Sequence, residues 1–251
     1  MRTIRDEQKG TIIEPQKTTV INKDFLPSRG KYYGSDLHAR KLSAIEMKDL
    51  SKITVNNFKQ TFNRAIAAGI SGIDVDDIKL NDRLWLVYYL RSITFSDIPM
   101  RVLGKCKECG EPSWHEYRLK DLDVTYADTD LDTEVELPNG DKLSLDFITI
   151  GDEKEIESMK SDPAFVESLD TDVMTIAAHV KKINGESVSI YEAYAYFSRG
   201  KGSAVDYSKL ISHLRKYTFG ARPSATYQCP TCKSKMTVDI PLGPEFFLPE
   251  I

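Results

Sequence analysis

Apolar positions along the chain repeat with two different periods, and each period predicts its own kind of element. Alternating or β-rich runs at residues 101–104, 114–119, 223–228 and 236–240 read as short strands. Residues 134–137 and 142–145 read as a hairpin closed by Pro138-Asn139-Gly140, a strong turn signal. The densest apolar run, LWLVYYL at 84–90, is hydrophobic on every side and predicts a buried helix. Two further stretches, 173–182 and 206–217, read as helical. Helix starts are also legible. Ser43-x-x-Glu46, with Leu42 before the cap and Met47 placed to meet it, is a capping box with a hydrophobic staple. Thr149-x-x-Asp152 repeats that signal with Asp in place of Glu or Gln.

The order of these signals repeats. Asp82, Leu86, Leu90-Arg91 and Thr94-Phe95 recur at identical spacing as Asp206, Leu210, Leu214-Arg215 and Thr218-Phe219. Leu26-Pro27-Ser28-Arg29-Gly30 is echoed by Leu137-Pro138-Asn139-Gly140, and a helix-start signal follows each. The pattern predicts a diverged internal duplication over about residues 26–120 and 137–245. The expected fold is α+β, with two diverged helix/strand halves joined by a shared four-cysteine zinc ribbon. Four segments follow: an extended N-terminal arm at 1–25, a first half at 26–120, a second half at 121–245, and an apolar C-terminal tail at 246–251.

The cysteines supply the joint. All four fall in two Cys-x-x-Cys pairs, Cys106/Cys109 and Cys229/Cys232, each set between the predicted strands. A two-residue spacer on a tight turn points neighbouring sulfurs at one ion, and four thiolates satisfy a tetrahedral Zn2+. The expected site is a structural zinc centre with Cys106, Cys109, Cys229 and Cys232 as its ligands. Because sulfur fills every position, no vacant place remains for a catalytic water. Lys105, Lys107, Lys233 and Lys235 flank the turns and can offset the thiolate charge. Two disulfides, or a thioredoxin-like redox pair, are the alternatives. The redox pair wants a helix after the motif, whereas turn residues and a strand follow both pairs here.

Composition narrows the partners. Lys and Arg number 34 against 38 acids, for a net charge of −4, which argues against the basic face of a nucleic-acid binder. No apolar run approaches the length needed to cross a bilayer, so no membrane partner is expected. The N-terminus MRTIRDEQKG lacks a signal-like apolar region, and zinc-type cysteines suit a reducing cytosol.

A search for enzyme chemistry finds no motif. His38, His115, His179 and His213 fall in no catalytic constellation, and phosphate-loop, dinucleotide, nucleophile-elbow and zincin motifs are all missing. Asp128-x-Asp130-x-Asp132 starts like a calcium loop but has Thr133 and Asn139 where glycine and glutamate are required. The chain is expected not to be an enzyme. Its ends suggest contact instead. The arm carries β-rich segments at 11–13 and 18–21 that could add as a strand to a neighbour. The tail places Phe246, Phe247, Leu248 and Ile251 where they either fold back on the core or dock on a partner. They are taken as partner-binding residues.

Several of these segments resemble a known family. Leu26-Pro27-Ser28-Arg29-Gly30-Lys31-Tyr32-Tyr33, then Leu42-Ser43-Ala44-Ile45-Glu46-Met47, then Asp82-Arg83 leading to Leu90-Arg91-Ser92-Ile93-Thr94, are similar to the baseplate hub proteins of contractile-tailed (T-even-type) bacteriophages. The cysteine pairs and the Leu-Pro-x-Gly hairpin fit the same resemblance, which spans about residues 26–240. It implies a structural or assembly role in the tail baseplate, with other baseplate or tail proteins as partners and no catalytic residues to carry over. The implied location is the virion tail baseplate, and the host cytoplasm during assembly. A homo-oligomer is left open. The reading kept beside it is a nucleic-acid-associated zinc ribbon of a replication or transcription complex.

Overall fold

The computed structural model describes residues 17–162 and 169–248, and mixes helices with small antiparallel sheets. Strands β1 (Thr19–Val20), β2 (His38–Ala39) and β3 (Ile70–Ser71) pair in that order. Helices α1 (Ala44–Leu50) and α2 (Phe58–Gly69) lie between β2 and β3, and α3 (Leu80–Thr94) follows. The hairpin β4 (Met100–Lys105) and β5 (Pro112–Tyr117) comes next, then β6 (Asp123–Thr125). A second sheet is built from β7 (Glu134–Glu136), β8 (Lys142–Leu145), β9 (Val180–Ile183) and β10 (Glu186–Ser187), with α4 (Ile150–Ser161) and α5 (Thr171–Ala177) between β8 and β9. The chain continues through α6 (Ile190–Ser198), α7 (Ala204–Leu214), β11 (Gly220–Arg222), the hairpin β12 (Ser224–Gln228) and β13 (Lys235–Asp239), and α8 (Pro244–Phe247). Strand β11 pairs with β6.

The helix starts form as the sequence predicts. Glu46 N–H donates to the Ser43 hydroxyl at 3.3 Å and the Glu46 carboxylate accepts from Ser43 N–H at 2.7 Å, with Leu42 and Met47 in one core. Thr149 and Asp152 close the same box at 2.8 and 3.1 Å, so the shorter Asp side chain suffices. Helix α3 is buried over most of its circumference, with Trp85, Leu86, Val87, Tyr88 and Leu90 all inside.

Several contacts occur twice. The N–H of Ser28, just after Pro27, donates to Asp82 in the first turn of α3 at 2.9 Å. The N–H of Asn139, just after Pro138, donates to Asp206 in the first turn of α7 at 3.1 Å. Arg40 N–H reaches Gly69 O, and Asp146 N–H reaches His179 O, both at 2.9 Å. Strand β8 thus leads into its helix as β2 does. Between β9 and α7, however, the chain adds β10 and α6 where the earlier stretch has only a turn and one 3-10 turn.

Among the described residues, apolar side chains gather in three clusters. One surrounds α1, α2 and α3, a second lies among the β7–β10 sheet, α5 and α6, and a third is confined to Val102, Cys106, Cys229, Met236 and Val238. The first two clusters are tied where α3 and α4 begin. Leu80 N–H donates to Ile148 O at 3.0 Å and Ile150 N–H to Ile78 O at 2.9 Å. Beside this bridge the buried Lys79 ammonium meets Asp146 at 2.8 Å.

An ion network crosses the same junction, with Glu153 on α4 taking Arg83 of α3 and Lys59 of α2, and Lys59 also reaching Glu157. Burial works against the Glu153 carboxylate, but Arg83 and then Lys59 outweigh it and hold its pKa below the ordinary value. A depressed folded-state pKa means that the unfolded chain binds more protons in acid. The contribution is therefore present above the ordinary glutamate range and lost as pH falls through the folded value. Buried Asp82 has the opposite sign, since desolvation raises its pKa. The difference between parent and Glu153→Gln isolates the network: the melting-temperature gap between them should be largest at neutral pH and shrink below about pH 4.

Two expectations for the chain ends are corrected. Residues 19–20 belong to the expected extended arm, and the strand they form adds not to a neighbour but to His38–Ala39 of the same chain, with Ile21 buried. Residues 11–13 lie outside the described residues. Phe246 and Phe247, expected to bind a partner, are 0% and 1% exposed in the first cluster. Pro244 opens a short helix after Gly243, which turns both rings inward. Phe246 packs edge-on against Tyr88 at 4.7 Å, and its carbonyl accepts from Arg91 Nε at 2.9 Å. Burial of both rings leaves neither of them any surface for a neighbour. Leu248 is exposed, and Ile251 lies outside the described residues.

Candidate metal centre

Each cysteine pair sits in a turn between two antiparallel strands, and the two turns have matching backbone geometry. Cys106 N–H donates to Glu111 O at 3.0 Å and Gly110 N–H to Cys106 O at 2.9 Å. In the second turn Cys229 N–H donates to Ser234 O at 2.8 Å and Lys233 N–H to Cys229 O at 3.0 Å. The residue after the second cysteine is left-handed in both, Gly110 at φ 74° and Lys233 at φ 63°. Glycine adopts this region freely, whereas a residue with a Cβ is strained by about 1–2 kcal/mol. A Cβ at Gly110 would meet nothing closer than 4.0 Å, so only the backbone opposes substitution. Gly110→Ala should lower stability by about 1 kcal/mol and Lys233→Gly should raise it or leave it unchanged, both read by urea unfolding.

The two hairpins lie against each other. A Cβ on Gly104 would come within 2.6 Å of Val238 and 2.9 Å of Met236, so only glycine lets β4 approach β13 this closely. This contact brings all four sulfurs together. Cys106 lies 3.7 Å from Cys232, Cys109 lies 3.6 Å from Cys229, and every pair of ligand atoms is within 4.8 Å. Bonded sulfurs would sit at about 2.05 Å, which these distances exclude, and all four cysteines are free. Tetrahedral sulfurs each about 2.3 Å from a zinc ion would stand about 3.8 Å apart, close to the two nearest separations. Among the described residues no other set of His, Cys, Asp or Glu side chains is placed to hold an ion.

The electrostatics are compatible with a bound cation. The Ser234 hydroxyl, then the N–H groups of Cys109 and Glu108, pull the Cys106 thiol down to about 6. Cys232 is lowered first by the same hydroxyl. The Glu111 N–H pulls Cys109 down as well, but desolvation and its three neighbouring thiols prevail and push it up to about 12. Four thiols this close cannot all ionise on their own, and a divalent ion at the centre removes that conflict.

Ser234 and Gly104 are contributions that the cysteine spacing does not reveal. The Ser234 hydroxyl stands 3.2 Å from Cys106 and 3.0 Å from Cys232, and so touches both hairpins. Its position two residues after Cys232 was the available signal. Gly104 takes an inward position of the alternating strand β4, where a larger side chain would be expected.

The histidines stay outside the cluster. His115 stacks on Tyr227 at 4.4 Å and bonds the Ser113 hydroxyl at 2.7 Å. His179 is held by the Thr175 and Ile176 carbonyls with its pKa lowered by burial, and His213 bonds Asp132 O at 2.7 Å. Asp128 and Asp130 are exposed and paired with Arg29 and Lys31. Among the described residues no helix is long and apolar enough to cross a membrane. The chain matches no protein-family model, no curated protein and no solved structure.

Proposed function

We propose that Cys106, Cys109, Cys229 and Cys232 hold one structural Zn2+ that staples two diverged halves, and that the chain is a structural or assembly protein of a phage tail baseplate, in its hub region. The convergence of four sulfurs from distant stretches of sequence carries the first part of this reading. An all-sulfur tetrahedral set suits zinc or iron and leaves no coordination site for substrate or water. The paired contacts of Asp82 and Asp206 and the matching knuckles support the duplication. The mechanism is rigid presentation: the metal fixes the ribbon at the base of both halves, and the outer surfaces engage neighbouring proteins.

The assignment to a baseplate rests on the resemblance of residues 26–240 to hub proteins. It is tested by probing purified contractile-tailed particles and their tail-assembly intermediates for this chain. Presence in either is the expected result, and absence from both contradicts the reading. The runner-up, a nucleic-acid-associated ribbon, finds some support in Arg101 and the exposed Trp114 on the ribbon surface. It predicts salt-dependent retention on single- or double-stranded DNA or RNA, whereas the baseplate reading predicts none at low salt.

A further inference from the structure

The outward surface of the first hairpin carries a pattern with no counterpart on the second. Side chains along β4 and β5 alternate, with Met100, Val102 and Tyr117 buried and Arg101, Leu103, Lys105, Pro112, Trp114 and Glu116 facing out. The register sets Leu103 opposite Trp114, Arg101 opposite Glu116 and Lys105 opposite Pro112. Leu103 is 55% exposed and Trp114 69%, while the other tryptophan, Trp85, is buried. Beside Trp114 runs an open cleft of about 440 Å³, lined by Arg101, Trp114, His115 and Glu116. An apolar knob next to a cleft, rimmed by one positive and one negative side chain, has the anatomy of a contact surface.

We propose that this face binds the same face of a second copy of the chain. The arrangement of charge selects that occupant. A two-fold axis parallel to the strands lays β4 of one copy over β5 of the other, as in aligned sheet packing. Arg101 of each copy then meets Glu116 of the other, Leu103 meets Trp114 in its cleft, and Lys105 meets the uncharged Pro112. The charged pair and the apolar pair are thus each made twice, and Lys105 meets no like charge. A two-fold axis across the strands would instead bring Arg101 over Lys105, two like charges, and is disfavoured. The contact is small, so the pairing should be weak in dilute solution and depend on protein concentration.

Charge exchange gives a test specific to this geometry, made on the full chain at constant metal content with mass read by sedimentation velocity. The parent should form dimers as concentration rises, and Trp114→Ala should remove them. Arg101→Glu and Glu116→Arg should each weaken pairing at least about tenfold, because each brings like charges together twice. Mixing the two single variants should restore a heterodimer, since the carboxylate introduced at position 101 of one then faces the guanidinium introduced at position 116 of the other. That mixture does not repair the pair within either chain, which spans 3.5 Å in the parent, so its recovery reports contact between copies. Unchanged melting temperatures would show that the variants remain folded. A parent that stays monomeric to several hundred micromolar, a Trp114→Ala variant that still pairs, or a mixture that stays monomeric overturns the proposal. Binding of a different protein to this face by a monomeric parent does so too.

Discussion

Substituting serine for Cys106 or Cys229 should abolish stoichiometric metal binding and unravel the ribbon while leaving the rest of the chain folded. Both thiols are buried in the smallest of the three apolar clusters, 2% and 0% exposed, and that cluster has only Val102, Met236 and Val238 besides. Five buried side chains, with the half-buried Tyr227 packed against them and stacked on His115, are too few to hold two hairpins together unaided. In small zinc domains the ion supplies about 10 kcal/mol or more of apparent binding free energy, and here the ribbon is the part that depends on it. The two larger clusters have their own burial and should persist. Far-UV circular dichroism should therefore change little, while amide protection over β4–β5 and β12–β13 falls sharply. Chelation of the parent should reproduce both effects. Cys109→Ser and Cys232→Ser should also release the ion, but with less loss of packing because both side chains are exposed. Variants that keep their zinc and their protection would contradict the ligand assignment.

The second large effect concerns the C-terminal aromatic pair. Phe246→Ala should destabilise the isolated chain by about 3–5 kcal/mol, the range for truncating a fully buried phenylalanine. The ring is 0% exposed and packs against Tyr88 and Phe247, and the backbone carbonyl of Phe246 accepts from Nε of the buried Arg91. Typical domains have only about 5–15 kcal/mol in total, so the midpoint of urea unfolding should drop markedly. Leu248→Ala, at an exposed neighbour, should leave it nearly unchanged. If these residues were a free tail awaiting a partner, both substitutions would leave the unfolding of the isolated chain untouched.

Legibility followed the range of the interactions. Elements whose signals are local could be read directly: the boxes at Ser43 and Thr149, the Pro138-Asn139-Gly140 turn, the all-round apolar α3 and the strands flanking each cysteine pair. The cluster of four cysteines was legible although its halves are far apart in sequence, because cysteines at a two-residue spacing have few uses that do not bring their sulfurs together. What failed was direction. An apolar segment such as Phe246-Phe247 has the same composition whether it faces its own core or a neighbour, and only the position of Arg91 and Tyr88 decides between them. Val20 and Ile21 pose the same problem, since whether the strand at 19–20 adds to a neighbour or to its own β2 depends on where the loop through residues 22–37 returns the chain. Ser234 and Gly104 are common residues whose roles exist only once the hairpins meet.

The central claim is that one ion is bound by sulfur from both hairpins. X-ray absorption at the zinc edge, combined with metal analysis of the purified chain, tests it most directly. The account predicts one zinc per chain with four sulfur neighbours at about 2.3 Å and no oxygen or nitrogen in the first coordination sphere. A metal-free chain with disulfides, or a zinc ion bound by two sulfurs and lighter atoms, would contradict it.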